Sequence, residues 1–266
     1  MLHEIAHLGL LDDEAITPDT AALEIAGLDH PDADLTDYAE LLSEMTERLL
    51  ARAVTAHSAE EQASALTTVL AVEFGLEGDR DTYDDPANAD MIRVLERRRG
   101  LPVALAILYV AIGRRVGWEV YALNTPGHVV VGLRDDGELI LIDPFNRGAR
   151  MSADGLSALL ERALGRAGPF PPEHLAPMTN RGALLRLLMN QASRAEQGGD
   201  SDRARTVFQR ITTVAPAYSF GWWERARLEL ASGEPGAARE SLSAMLETTR
   251  DPALRMQVNA ALDALA

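Results

Sequence analysis

Apolar residues recur at helical spacing through most of the chain, and one central stretch breaks that rhythm. Leu35, Tyr38, Leu41, Leu42, Met45, Leu49 and Val54 repeat with Glu and Arg between them, which predicts a helix over 34–55. Residues 17–28 predict a shorter helix, with Pro18 near its start, Asp19 in the first turn and Gly27 near its end. Ser58, followed three residues later by Glu61, is a capping box that opens a helix over 58–73. Residues 75–90, GLEGDRDTYDDPANAD, are turn chemistry throughout and predict a loop. Asn88 or Asp90 then caps a helix, MIRVLERRRG, with Gly100 expected as its C-cap. Arg97, Arg98 and Arg99 complement the dipole of that last turn, a reading preferred over an anion or nucleic-acid patch.

The central break begins at Leu101. Residues 101–115, LPVALAILYVAIGRR, form an apolar run too long for a strand and without alternation, so a helix buried on all sides is expected. Pro102 suits its first turn, where a missing N–H costs nothing. The period then switches. WEVYAL (118–123) and 129–133 read as strands joined by the turn NTPG, and Asp135-Asp136-Gly137 is a hairpin turn into a third strand, 138–142. A helix followed by consecutive strands predicts an α+β fold, with helices on a small antiparallel sheet.

Helical spacing returns afterwards. Ser152 or Asp154 caps a helix over 152–166, and PFPPEHLAP is a connector that cannot continue it. Helices are expected near 180–197, 201–214, 217–232, 235–248 and 251–265. Ala204, Phe208 and Ile211 align with Ala238, Leu242 and Met245 at an offset of 34 residues, the period of tetratricopeptide (TPR) repeats. Glu229 stands where that repeat usually carries an aromatic. Trp222 and Trp223 are candidate partner contacts, although adjacent helix positions point about 100° apart and one of the two belongs in the core.

Charge narrows the partners. The 266 residues carry a formal net charge of −16 and no lysine, so all 25 basic residues are arginine, a bias expected of a GC-rich bacterial genome. Such a field repels phosphate backbones, and nucleic acid is not an expected partner. No apolar run approaches the roughly 18 residues that a membrane span requires, and the N-terminus lacks a basic lead. A cytoplasmic protein without membrane contact is expected. The absence of cysteine removes disulfides, thiolate metal sites and a cysteine nucleophile together.

Two patterns carry possible chemistry. His3-Glu4-Ile5-Ala6-His7 matches HExxH, in which two His one turn apart bind zinc and the Glu activates water. Only two residues precede His3, and no convincing third ligand follows, so no metal and no cofactor are expected. The second pattern joins Pro126-Gly127-His128 to Asp143-Pro144-Phe145-Asn146. A His and an Asp on neighbouring strands, facing the start of a buried helix, supply two of the three parts of a papain-type catalytic arrangement.

These motifs resemble the transglutaminase-like superfamily, in which Gly-x-Cys opens a buried helix and two following strands carry His and Asp. The resemblance places Pro102 at the Cys position, His128 at the His and Asp143 at the Asp. VLERRRGLPVAL, PGH and IDPFNRG together resemble the SirB-type bacterial family, whose transglutaminase-like core precedes TPR repeats and whose eukaryotic relative is an F-box protein. The resemblance implies an N-terminal helical extension (1–33), a papain-type core (34–170) and an all-α TPR-like region (178–266). Proline offers neither a nucleophile nor a backbone N–H for an oxyanion hole, and no Ser, Thr or Cys lies between Gly100 and Thr125. The expected function is therefore non-catalytic, a binding or regulatory module (a pseudoenzyme) that recognises a protein or peptide through the TPR-like region. His128, Asp143, Asn146, Trp222 and Trp223 are its candidate contacts. The alternative is a hydrolase or acyl-transferase with His128 as base, Asp143 orienting it, and water or an unidentified group as nucleophile.

Overall fold

The structure is a computed structural model, and it describes residues 2–167 and 169–265, with the side chain of Pro172 also outside the description. The chain packs as two compact units, Thr17–Leu184 in one and residues up to Ile16 with those from Leu185 onward in the other.

The larger unit is built around one helix. α1 spans Pro18–Gly27, α2 Leu35–Ala53, α3 Ala59–Thr67, α4 Met91–Arg97, α5 Pro102–Arg115 and α6 Ala153–Leu164. Every residue of α5 from Pro102 to Gly113 is buried. An all-apolar helix must be enclosed, and α1 and α2 cover it together with the sheet. Each large aliphatic chain buried along it stabilises the fold by roughly 1.5–3 kcal/mol. The sheet meets the end of the helix closely, since a Cβ on Gly113 would lie 2.6 Å from Val120. At the same end Arg115 reaches the fully buried Asp19 at 2.7 Å. Burial outweighs that partner and raises the Asp19 carboxyl above its ordinary value.

Two short strands, β1 (Glu77–Gly78) and β2 (Arg99–Gly100), pair in parallel beside the start of α5. The main sheet follows, β3 (Glu119–Ala122), β4 (Val131–Asp135), β5 (Glu138–Asp143) and β6 (Ala149–Met151), antiparallel and in sequence order. Asp136 and Gly137 both take positive φ, as the tight β4–β5 hairpin demands.

Several local expectations are corrected. The helix opened by Ser58 changes at Thr68 into wider π turns that run to Glu73. The 75–90 loop contains β1 and a 3-10 turn, Pro86–Ala89. Asp79 anchors it. Burial opposes its charge, but bonds from Thr82, Asn88 and Arg97 hold its carboxyl down to about 2. Asp90 caps α4, but Gly100 is not its C-cap: Arg98 takes the left-handed conformation, at φ 59°, because the next two residues must leave as β2. The second strand starts at Val131, two residues later than expected, and β6 was not anticipated. The end of the proline-rich connector returns to the sheet. Met178 donates its N–H to Ala122, and Asn124 donates to Ala176, so the edge of β3 is partly covered.

In the smaller unit, α8 (Ser201–Val214), α9 (Ser219–Ala231), α10 (Pro235–Thr248) and α11 (Pro252–Asp263) follow the last turns of α7 (Asn180–Gln197) and pack successively. α8 and α10 begin 34 residues apart, at Ser201 and Pro235. Glu229 is buried, accepting bonds from Arg225 (2.8 Å) and Ser241 (2.6 Å), so its carboxylate is satisfied within the helix pack. The turn at Ala6–Gly9 lies flush on α8, where a Cβ on Gly9 would meet the carbonyl of Thr213 at 2.2 Å.

Candidate functional site

His128 leaves a turn that its neighbours fix. The Thr125 hydroxyl, fully buried, donates to the His128 carbonyl at 2.6 Å. Gly127 takes φ 73°, a conformation that side chains resist, and faces Ala163 of α6. Asp143 ends β5 and caps the 3-10 turn Pro144–Asn146. Its Oδ1 accepts the N–H of Phe145 at 3.0 Å and that of Asn146 at 3.3 Å. Left-handed Arg147 and Gly148 then return the chain so that Gly148 donates to the Asp143 carbonyl at 2.8 Å.

These two turns bring the predicted pair together. The Nε2–H of His128 donates to Oδ1 of Asp143 at 2.9 Å, with side-chain exposures of 19% and 4%. Burial opposes ionisation of Asp143, but the His128 bond, the His128 charge and the Asn146 amide outweigh it and hold the carboxyl below its ordinary value. The Asn146 side chain donates to the other Asp143 oxygen and accepts from Arg80 through its own carbonyl. Hydrogen bonds therefore run from Arg80 through Asn146 and Asp143 to the imidazole.

Phe145 completes the support. Its ring meets His128 edge-on at 5.7 Å between centroids and Tyr83 likewise at 5.7 Å. It lies against bare backbone, since a Cβ on Gly78 would stand 2.3 Å from it. Gly78 pairs with Gly100, which puts this contact two residues before Pro102. Pro102 itself is buried in the first turn of α5, and no hydroxyl or thiol takes its place there. Tyr109, two turns into the same helix, is fully buried; its hydroxyl has no hydrogen-bond partner among the described residues, and burial pushes the phenol up.

His128, Asp143 and Asn146 open onto a groove of about 490 Å³ whose far wall is α6, with Met151, Leu159 and Arg162 among its residues. No local sequence pattern signals α6 as a wall, Arg80 or the Phe145–Gly78 contact. The sequence offered only a glycine in an acidic loop and an amphipathic helix as signals.

The remaining candidates lie elsewhere. Trp222 and Trp223 sit in the smaller unit, both half-buried against the cluster of Ala226, Leu242 and Met245. Trp222 donates to the Pro216 carbonyl at 2.8 Å, and Arg225 lies over its ring at 5.5 Å. His3 and His7 fall in two separate 3-10 turns, Leu2–Glu4 and Ala6–Gly9, so they do not form the two-ligand face of one α-helix. Among the described residues, no group of three or more His, Cys, Asp or Glu could hold a metal ion. The arginines after α4 face acids: Arg97 binds Asp79 at 2.7 Å and Arg99 binds Asp81 at 3.0 Å.

The helices, the four-stranded sheet and the His–Asp pair define a transglutaminase-like protein. Residues 36–189 match the Transglutaminase-like superfamily, and the chain belongs to it. A UPF0162 protein of Xylella fastidiosa (strain 9a5c) is 30% identical over 90% of this chain and 86% of its own length. One from Vibrio cholerae is 31% identical over 73% of this chain and 68% of its own. Human F-box only protein 21 is 29% identical over 33% of this chain and 15% of its own. A solved structure of menin aligns over 92% of this chain and 69% of its own at 12% identity, with a TM-score of 0.43.

Proposed function

We propose that this protein is a non-catalytic member of the superfamily, a protein- or peptide-binding module of the SirB type whose helical C-terminal region acts as TPR-like repeats. In this reading residues 34–170 are the core, 178–266 the repeat region and 1–33 an extension, and the protein works in the cytoplasm. The observation that carries it is a buried proline at the start of α5 combined with an open groove beside an intact His–Asp pair. Acyl transfer needs a nucleophile within reach of the imidazole. What remains is a polar-edged concavity, which is the form of a recognition site. The 34-residue spacing of α8 and α10 supports the repeat reading. The competing reading, a hydrolase with His128 as base and water as nucleophile, draws support from the Asp143 bond that fixes the ring.

The test is quantitative affinity capture with the intact chain, compared with Ala158→Trp, which fills the groove from an exposed position, and Phe220→Asp on the exposed surface of α9. The reading predicts a protein retained by the natural chain and lost with at least one variant. Identical capture by all three would overturn it.

A further inference from the structure

We infer that the groove between the Pro126–His128 turn and α6 receives the free C-terminus of a peptide ending in an apolar residue. This rests on the binding reading above and names the ligand class of the same site.

The walls divide into an apolar body and one charged edge. Pro126, Met151, Leu159 and Ala163 supply apolar surface. A volume of about 490 Å³ falls within the range of small-ligand pockets and holds one or two residues, not a helix. Asp143 is the only carboxylate in the lining, and it is saturated: Oδ1 takes His128 and two backbone N–H groups, and Oδ2 takes Asn146. It has little capacity left for a ligand ammonium. Arg162 differs from Arg99 and Arg147, which bind Glu77 or Asp81 on the other side of Phe145 and Asn146. Arg162 is exposed, lines the groove and has no ion-pair or hydrogen-bond partner among the described residues.

Of the two charged groups in the lining, Arg162 is thus the one with capacity to spare, and a planar guanidinium suits a carboxylate. The charge of the whole chain decides which carboxylate. At a net charge of −16 an acidic peptide would bring several repelled charges, whereas a chain terminus brings one. A free amino acid would add an ammonium, and the carboxylate in the lining, Asp143, is already engaged.

The experiment is an NMR titration of the isotopically labelled full chain with N-acetyl-leucine, N-acetyl-leucinamide and leucine, read at the amides of Gly127 and Gly155. N-acetyl-leucine is expected to saturate these shifts, with a Kd about tenfold or more below those of the other two. R162Q should erase the preference while distant amides stay in place, and Ala158→Trp should remove binding of all three. Equal affinity for acid and amide, a preference that survives R162Q, or no saturable shift would overturn the assignment. Because the capture experiment uses a different readout, loss of capture in Ala158→Trp alongside a failed titration would reject the ligand class and keep the binding module.

Discussion

At the residue scale, Asp143 is the centre of the site. It joins the 3-10 turn, the Asn146 amide and the imidazole, and few buried carboxylates can lose that many bonds cheaply. Asp143→Asn is expected to lower stability by about 1–3 kcal/mol in urea near pH 7. The pH dependence has a defined sign. The folded carboxyl is held below its ordinary 3.8, so the charged form contributes stability above that value and loses it as pH falls through the folded pKa. The stability gap between the natural protein and Asp143→Asn should therefore narrow on acidification below about pH 4. A gap that stays constant or widens would show that the charge is not what Asp143 contributes. His128 and Asp143 were legible in the sequence because each sits in a compact turn motif. Arg80 was not, because its bond to Asn146 closes a separation of 66 residues that no local pattern records.

At the element scale, the site depends on where two short strands meet the start of α5. Phe145 lies on Gly78 because β1 carries no side chain at that point, and the same ring braces His128. Gly78→Ala is expected to displace the ring and cost about 1–3 kcal/mol in denaturant unfolding, with a shift in the His128 ring resonances. Unchanged stability and unchanged resonances would remove Phe145 from the account. α5 and the β3–β5 meander could be read directly from the change of period at Gly117. β1 and β2 could not, since two-residue strands have no periodicity to detect. The π turns at Thr68–Glu73 escaped for a related reason: their apolar spacing resembles that of the helix they extend. The left-handed Arg98 escaped because a nearby glycine offered the commoner C-cap.

At the scale of the whole molecule, the order of helices, sheet and helices was visible from patterning alone, and the motifs at 97–148 identified the superfamily. The proline-rich connector looked like a plain break, but its last residues satisfy backbone groups at the edge of β3, a role composition does not encode. The groove was invisible because it requires α6 to fold back over the His128 turn. The central claim is that His128 and Asp143 form a binding wall and not a catalytic pair. The most direct measurement compares the natural protein with His128→Ala, folded equally well, for hydrolysis of p-nitrophenyl esters and peptide p-nitroanilides. Equal rates at the level of the uncatalysed background are the expected result. Turnover by the natural protein that disappears in His128→Ala would contradict the claim and make this an enzyme.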